Sequence, residues 1–214
     1  MSVGADRYFA PLGSGEAELI EKRSRFIARV RRVQSEEEAR RFIEETKSKY
    51  HDARHTCWCY IIRESGIARY SDDGEPQGTA GAPMLEVFSK NGITDVCCTV
   101  TRYFGGVLLG PGGLVRAYSS SARDALQSAG IAEWRCRGIL EIPCPYNLFD
   151  KIKSEIQRAG GIVEEAEYGE KITLRALFER EETARFSEKL SELTAGTVHG
   201  KIIGEKYVLV EREE

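Results

Sequence analysis

Asp72, Asp73 and Glu75 open a glycine-rich stretch, Asp72-Asp73-Gly74-Glu75-Pro76-Gln77-Gly78-Thr79-Ala80-Gly81-Ala82-Pro83. A second such stretch runs from Thr101 to Tyr118, where Arg102 and Arg116 bracket glycines at 105, 106, 110, 112 and 113. Glycine costs backbone entropy, so this density marks tight turns or a backbone that must approach something closely. Strand, glycine turn and helix start follow one another here. Amides at a helix N-terminus beside two guanidiniums suit an anion of the phosphate type. Packing alone accounts for the glycines but not for the flanking arginines. The expected site therefore has Arg102 and Arg116 as anion contacts and Gly105, Gly106, Gly112 and Gly113 as amide donors. His55, Tyr103 and Tyr118 shape it, and Asp72, Asp73 and Glu75 orient the arginines.

Other chemistries have less support. The second stretch has no Lys-Ser/Thr after its last glycine and lacks the G-x-G-x-x-G spacing, so neither a nucleotide P-loop nor a dinucleotide fold is indicated. The carboxylates can ligate a hard cation, but ion pairing or capping is favoured; paired acid–base use stays open. His51-Asp52-Ala53-Arg54-His55 has two histidines at zinc-protease spacing, yet His55 opens a strand where that motif needs mid-helix. No G-x-S-x-G elbow is present. The residues assign no catalytic group, no metal and no cofactor.

Composition bounds the rest. The chain has 214 residues, 41% hydrophobic and 30% charged, enough for one large or two small globular domains. No stretch is apolar for long enough to span a membrane, and residues 1–20 lack a signal-peptide pattern, so a cytoplasmic location is expected. The six cysteines form no C-x-x-C and read as buried thiols; the Cys57-x-Cys59 pair alone is a weak metal signal. Net charge is −3, with residues 141–214 holding 11 basic against 16 acidic side chains. A cluster of six cations, Lys22, Arg23, Arg25, Arg29, Arg31 and Arg32, reads first as a solvated outer face and second as a phosphate-contacting strand.

Residues 1–20 read as a loosely ordered lead-in. Periodicity then predicts a strand over 25–33 with a basic outer face and a helix capped by Ser35 and Glu38. It further predicts a strand over 55–62, a helix near 80–90, a buried strand over 95–104 and a helix from about 113 to Gly130. After Gly130 the order strand, helix capped by Asn147, two strands, helix, strand matches the ferredoxin-like split βαβ plan. The resulting domains are 21–134 and 135–214.

The two stretches, with Ala53-x-His55-x-Cys57-Trp58-x-Tyr60, closely resemble the YigZ/IMPACT family, and the match extends over residues 20–130. The resemblance implies an α+β protein of two α/β sandwich domains. The N-terminal one is a β-α-β sandwich akin to ribosomal-protein domains and to domain IV of elongation factor G. The C-terminal one is ferredoxin-like, akin to that factor's domain V. Eukaryotic relatives modulate a starvation-responsive kinase through a further domain for which this chain has no room. Cys59 stands where the family usually has Ala, and Pro111 where it has Ala or Thr. Together, residues and resemblance lead to an RNA- or ribosome-associated binding protein with a role in translation regulation. An enzyme acting on a small phosphorylated or carboxylated metabolite through His55 or the carboxylates is the alternative; a protein-interaction module without chemistry is another.

Overall fold

The structure is a computed structural model that describes residues 6–210. Its elements are β1 (Arg7–Pro11), β2 (Ser14–Glu21), β3 (Ser24–Arg32), α1 (Glu36–Lys49), β4 (His55–Ile62), β5 (Ile67–Ser71), α2 (Gly81–Lys90), β6 (Val96–Tyr103), α3 (Pro111–Ala129) and β7 (Ile131–Cys144). There follow α4 (Phe149–Arg158), β8 (Ile162–Tyr168), β9 (Ile172–Glu179), α5 (Arg180–Leu193) and β10 (Lys201–Leu209). The chain divides into two compact units: residues 8–133, and residues 134–210 together with 6–7. The expected two-domain α+β architecture is present.

The N-terminal unit is one antiparallel sheet, ordered β2-β3-β6-β4-β5. Strand alternation sends Phe26, Ala28, Val30, Cys57, Cys59, Cys98 and Val100 to one face, where they pack against α2 and α3. Tyr60, Ile62 and Cys97 point to the other face, under Phe42 and Ile43 of α1. Helix α1 starts as the sequence predicts: the Ser35 hydroxyl accepts from the Glu38 N–H, and the Glu38 carboxylate accepts from the Gln34 N–H at 2.7 Å.

The expected lead-in over residues 1–20 is corrected by the described part of it. Residues 7–11 and 14–21 are strands, and all of β2 pairs with β3; residues 1–5 lie outside the described region. Sequence reading missed β2 because one of its inward positions is Gly15. A Cβ there would collide with the backbone of α3 at Ala125 and Ala129, so the glycine is what lets the helix lie on the edge strand.

The C-terminal unit has strand order β10-β7-β9-β8, every neighbouring pair antiparallel, which is the ferredoxin-like arrangement. Leu140, Ile142, Leu174 and Phe178 pack under Ile152 and Ile156 of α4 and Phe186 and Leu190 of α5. Asn147 does not cap α4; it lies in a short 3₁₀ turn, Tyr146–Leu148, that precedes the helix. No helix of the described residues is long and apolar enough to cross a membrane.

All six cysteines are buried and unpaired. Burial pushes the Cys57, Cys59 and Cys97 thiols up from their ordinary value. Less thiolate forms at a given pH, and alkylating reagents meet a closed surface. Thiol titration at mildly alkaline pH should show no fast phase in the native protein and six reactive thiols after denaturation.

Candidate functional site

Along β6, residues 96, 98 and 100 face α2 and α3, so Arg102 enters the same layer at the strand's end. There it meets Glu75, delivered by the loop between β5 and α2. Arg102 Nη1 lies 2.8 and 3.1 Å from the two Glu75 oxygens, and the Tyr118 hydroxyl of α3 donates to Glu75 Oε1 at 2.8 Å. Arg102 Nη2 reaches Ser24 Oγ at 3.4 Å, and that same oxygen accepts the Gly105 N–H at 3.1 Å. Both charged side chains are buried. Burial, reinforced by Cys57 and the Glu75 carboxylate, pushes the Tyr118 hydroxyl far up, so it remains a donor.

The loop carrying Glu75 is organised by Asp72. One oxygen accepts the Ala80 and Gly81 N–H groups at 3.1 and 2.8 Å; the other accepts Gly78 N–H at 2.8 Å. Asp72 thereby satisfies the start of α2, whose own N-cap residue Ala80 has no side chain to do so. Asp73 takes the Thr56 N–H at 2.8 Å and the Lys47 ammonium at 3.2 Å, and its carbonyl lies 2.7 Å from His55 Nδ1. A carbonyl only accepts, so the Nδ1 N–H donates to it.

The glycines differ in purpose. A Cβ on Gly105 would overlap the backbone of Arg23 and Ser24, because residue 105 rests on the β2–β3 hairpin, whose tip residues Lys22 and Arg23 have φ of 46° and 66°. Gly110 precedes α3 with φ 72°, and Pro111 occupies the helix start, where its missing N–H is no loss. Gly112 has open space, nothing nearer than Arg116 Nη1 at 3.8 Å.

Above this scaffold lies a cleft of about 290 Å³ lined by Asp52, Arg54, His55, Arg102, Tyr103, Phe104 and Leu108. The Tyr103 hydroxyl donates to Asp52 at 2.6 Å, a bond that raises the phenol and lowers the carboxyl from their usual values. Phe104 and Leu108 are 54% and 82% exposed. A second hollow, lined by Leu19, Lys22, Leu109, Gly113 and Arg116 among others, lies on the α3 side of the loop.

Residues 22–126 match the Impact N-terminal domain, and residues 142–197 match a domain of unknown function, DUF1949. The chain is 41% identical over 190 residues to the IMPACT family member YvyE of Bacillus subtilis, 88% of each chain being covered. The chain belongs to the IMPACT family. It is also 32% identical to the family member YigZ of Escherichia coli over 180 residues, 83% of this chain and 88% of that one. A crystal structure of an hypothetical protein superposes with a TM-score of 0.62 at 29% identity, covering 98% of this chain and all of the other.

Within this family member the expected site residues fall into separate groups. Glu75, Arg102, Tyr118 and Gly105 form the buried cluster. His55 and Tyr103 line the cleft, while Gly113 and Arg116 line the hollow. Four roles need correction. Arg102 is not a free anion contact, because its charge is committed to Glu75. Tyr118 shapes no pocket, being fully buried. Of the three carboxylates only Glu75 orients an arginine; Asp72 binds amides and Asp73 binds Lys47. Gly105 likewise spends its N–H on Ser24.

The basic strand is corrected as well. Its alternation is right, but Arg29 and Arg31 lie beneath α1 with their guanidiniums over Phe42 at 5.2 and 4.5 Å. Arg25, Arg29 and Arg31 pair with Glu18, Glu16 and Glu45 at 2.8, 3.3 and 2.9 Å. Sequence reading missed Arg54 and Leu108. The legible signal for Leu108 was an apolar residue inside a run too rich in glycine to be core.

Glu75→Gln leaves Arg102 buried without a countercharge, a change that costs about 3–5 kcal/mol in comparable pairs. Gly105→Ala should cost about 1–3 kcal/mol through overlap with the hairpin backbone. Arg116→Ala, at an exposed position, should stay within about 0.5 kcal/mol of the parent. Urea unfolding of the three variants checks the ranking; equal losses for Arg116 and Glu75 would place Arg116 in the structural core.

Proposed function

We propose that the N-terminal unit binds single-stranded RNA, free or as part of the ribosome, through the glycine loop and its cleft, in a role that regulates translation. One observation carries the reading. Lys22, Arg23, Arg54 and Arg116 border the loop and have no ion-pair partner among the described residues, whereas the β3 arginines 25, 29 and 31 are all paired. Arg54 shares the cleft with the exposed ring of Phe104, and Lys22 and Arg116 line the hollow on the other side of the loop; such cations attract phosphates, and an exposed ring offers a base-stacking surface. Phe104 supplies the ring; the Arg102 guanidinium lies 5.5 Å from its centroid and holds it on a fixed base. Gly112 and Gly113 add first-turn amides that no helix carbonyl can use. The kinship with translation-factor domains that the resemblance implies points the same way.

The metabolite reading has its own support, since His55 and Arg54 line one cleft. Binding measurements separate the two. Fluorescence anisotropy with a labelled single-stranded RNA should show association at low salt and a steep decline as salt rises. Arg54→Ala and Arg116→Ala should each flatten the log–log salt slope by about 0.7. Phe104→Ala should weaken binding by about 1–3 kcal/mol. Gly112→Ala should keep or raise stability, because alanine is the better helix former, yet weaken RNA binding by obstructing the approach of a phosphate. Absence of RNA association at low salt, with a saturable rise in melting temperature on adding a phosphorylated metabolite, would replace this reading with the enzymatic one.

A further inference from the structure

The glycine-loop cleft lies at one end of the N-terminal sheet, where His55 opens β4 opposite Arg102 of β6. Two loops supply its walls. Residues 50–54, between α1 and β4, bring Asp52 and Arg54, and the glycine loop brings the exposed side chains of Phe104 and Leu108. Arg54 and the Phe104 ring suit a phosphate and a stacked base. Asp52 suits neither, because a carboxylate repels phosphates. Its place in this cleft calls for a partner made of hydrogen-bond donors.

The carboxylate is held in position. The Tyr103 hydroxyl, at the end of β6, donates to Asp52 Oδ1 at 2.6 Å. That bond keeps the carboxyl below its ordinary value, so at neutral pH it is ionised and only accepts. A carboxylate offers about four lone-pair positions over its two oxygens, and Tyr103 uses one of them. Bases of a single strand are read by stacking on a ring and by hydrogen bonds along the Watson–Crick edge. Guanine alone presents two adjacent donors there, N1–H and N2–H. Adenine sets the N1 lone pair beside its amino group, and cytosine the N3 lone pair. Uracil flanks its single N–H with two carbonyls. Each of those lone pairs would face the carboxylate and be repelled by it.

We infer that Asp52 selects guanine at this cleft, its carboxylate accepting N1–H and N2–H of a base stacked on Phe104. Tyr103 is the positioning residue that orients the carboxylate. The inference rests on the RNA reading given above and adds a base identity to it.

The test uses the full chain and oligouridylates of about 12 nucleotides, within the range of single-strand site sizes, each with one central guanosine, adenosine, cytidine or inosine. Inosine keeps N1–H and lacks the N2 amino group. Anisotropy at low salt should show guanosine bound about tenfold more tightly than adenosine or cytidine, as a bidentate base contact provides, with inosine between them. Asp52→Asn offers one acceptor and one donor, and should bring the guanosine-to-adenosine ratio to about one or below. Removing a negative charge favours every oligonucleotide alike, so the ratio is the readout. Tyr103→Phe keeps the ring and should lower the same ratio; a merely structural Tyr103 would shift the melting temperature and leave the ratio unchanged. Equal binding of all the oligonucleotides, or a guanosine preference that survives Asp52→Asn, would overturn the inference and leave the RNA reading standing. Absence of binding to any oligonucleotide would remove the RNA reading. GMP and AMP then decide the rest: a rise in melting temperature with GMP alone, lost in Asp52→Asn, assigns the guanine contact to a free nucleotide, and no difference between them removes it.

Discussion

The Glu75–Arg102 pair is the constraint around which the N-terminal unit is arranged. Two opposite charges removed from water lose hydration worth several kcal/mol each, and only close geometry with further hydrogen bonds offsets that loss. Here Tyr118 and Ser24 supply those bonds, so one buried point joins the β5–α2 loop, the end of β6, the start of β3 and the third turn of α3. Arg102 Nε alone stays without a partner. Replacing such a pair with apolar groups often stabilises a protein, so its presence argues for geometry rather than for stability. What it fixes is the position of the glycine loop: Gly105 sits on the hairpin through the same Ser24 oxygen that Arg102 contacts.

Fixing the loop from below has a consequence above it. Phe104 follows directly from Tyr103, and its ring has a guanidinium at its side and solvent above it. The Glu75–Arg102 pair occupies the layer beneath the strand end. The apolar side chains at 104 and 108 stay exposed at the cleft it borders. Asp72 acts in the same sense on the neighbouring loop, using three amide contacts to hold residues 78–81 at the entrance to α2.

Much of this was legible in the sequence, for reasons that can be named. The strands at 55–62 and 96–103 show because β-branched and aromatic residues are bounded by turn residues, and α3 shows because small and apolar residues recur at helical spacing. The site location was legible from glycines next to arginines. Which carboxylate served which cation was not, because one residue of displacement separates an amide cap (Asp72), a lysine partner (Asp73) and a buried arginine partner (Glu75, three positions on). Those roles follow from chain direction at each Cα, which turn geometry sets. The arginines of β3 illustrate the same limit. Alternation correctly put Arg29 and Arg31 on a common face, but Glu16 becomes a neighbour only through the β2 register Glu16↔Arg29, and β2 was hidden by Gly15.

Charge separates the two units in a way that sharpens the functional reading. Residues 134–214 with 1–7 hold 17 acidic against 14 basic side chains, while residues 8–133 hold 17 of each. In the ferredoxin-like sheet Arg175 lies among Glu141, Glu165 and Glu167, at 3.6, 2.7 and 3.9 Å. One guanidinium among three carboxylates leaves that patch negative, a field that repels a phosphate backbone rather than attracting it. The cations without partners named above all belong to residues 8–133. The −3 net charge of the whole says little about any one patch, since screening confines such fields to about 8–10 Å at physiological ionic strength. Charges close to the loop, and not the sign of the total, set the field there.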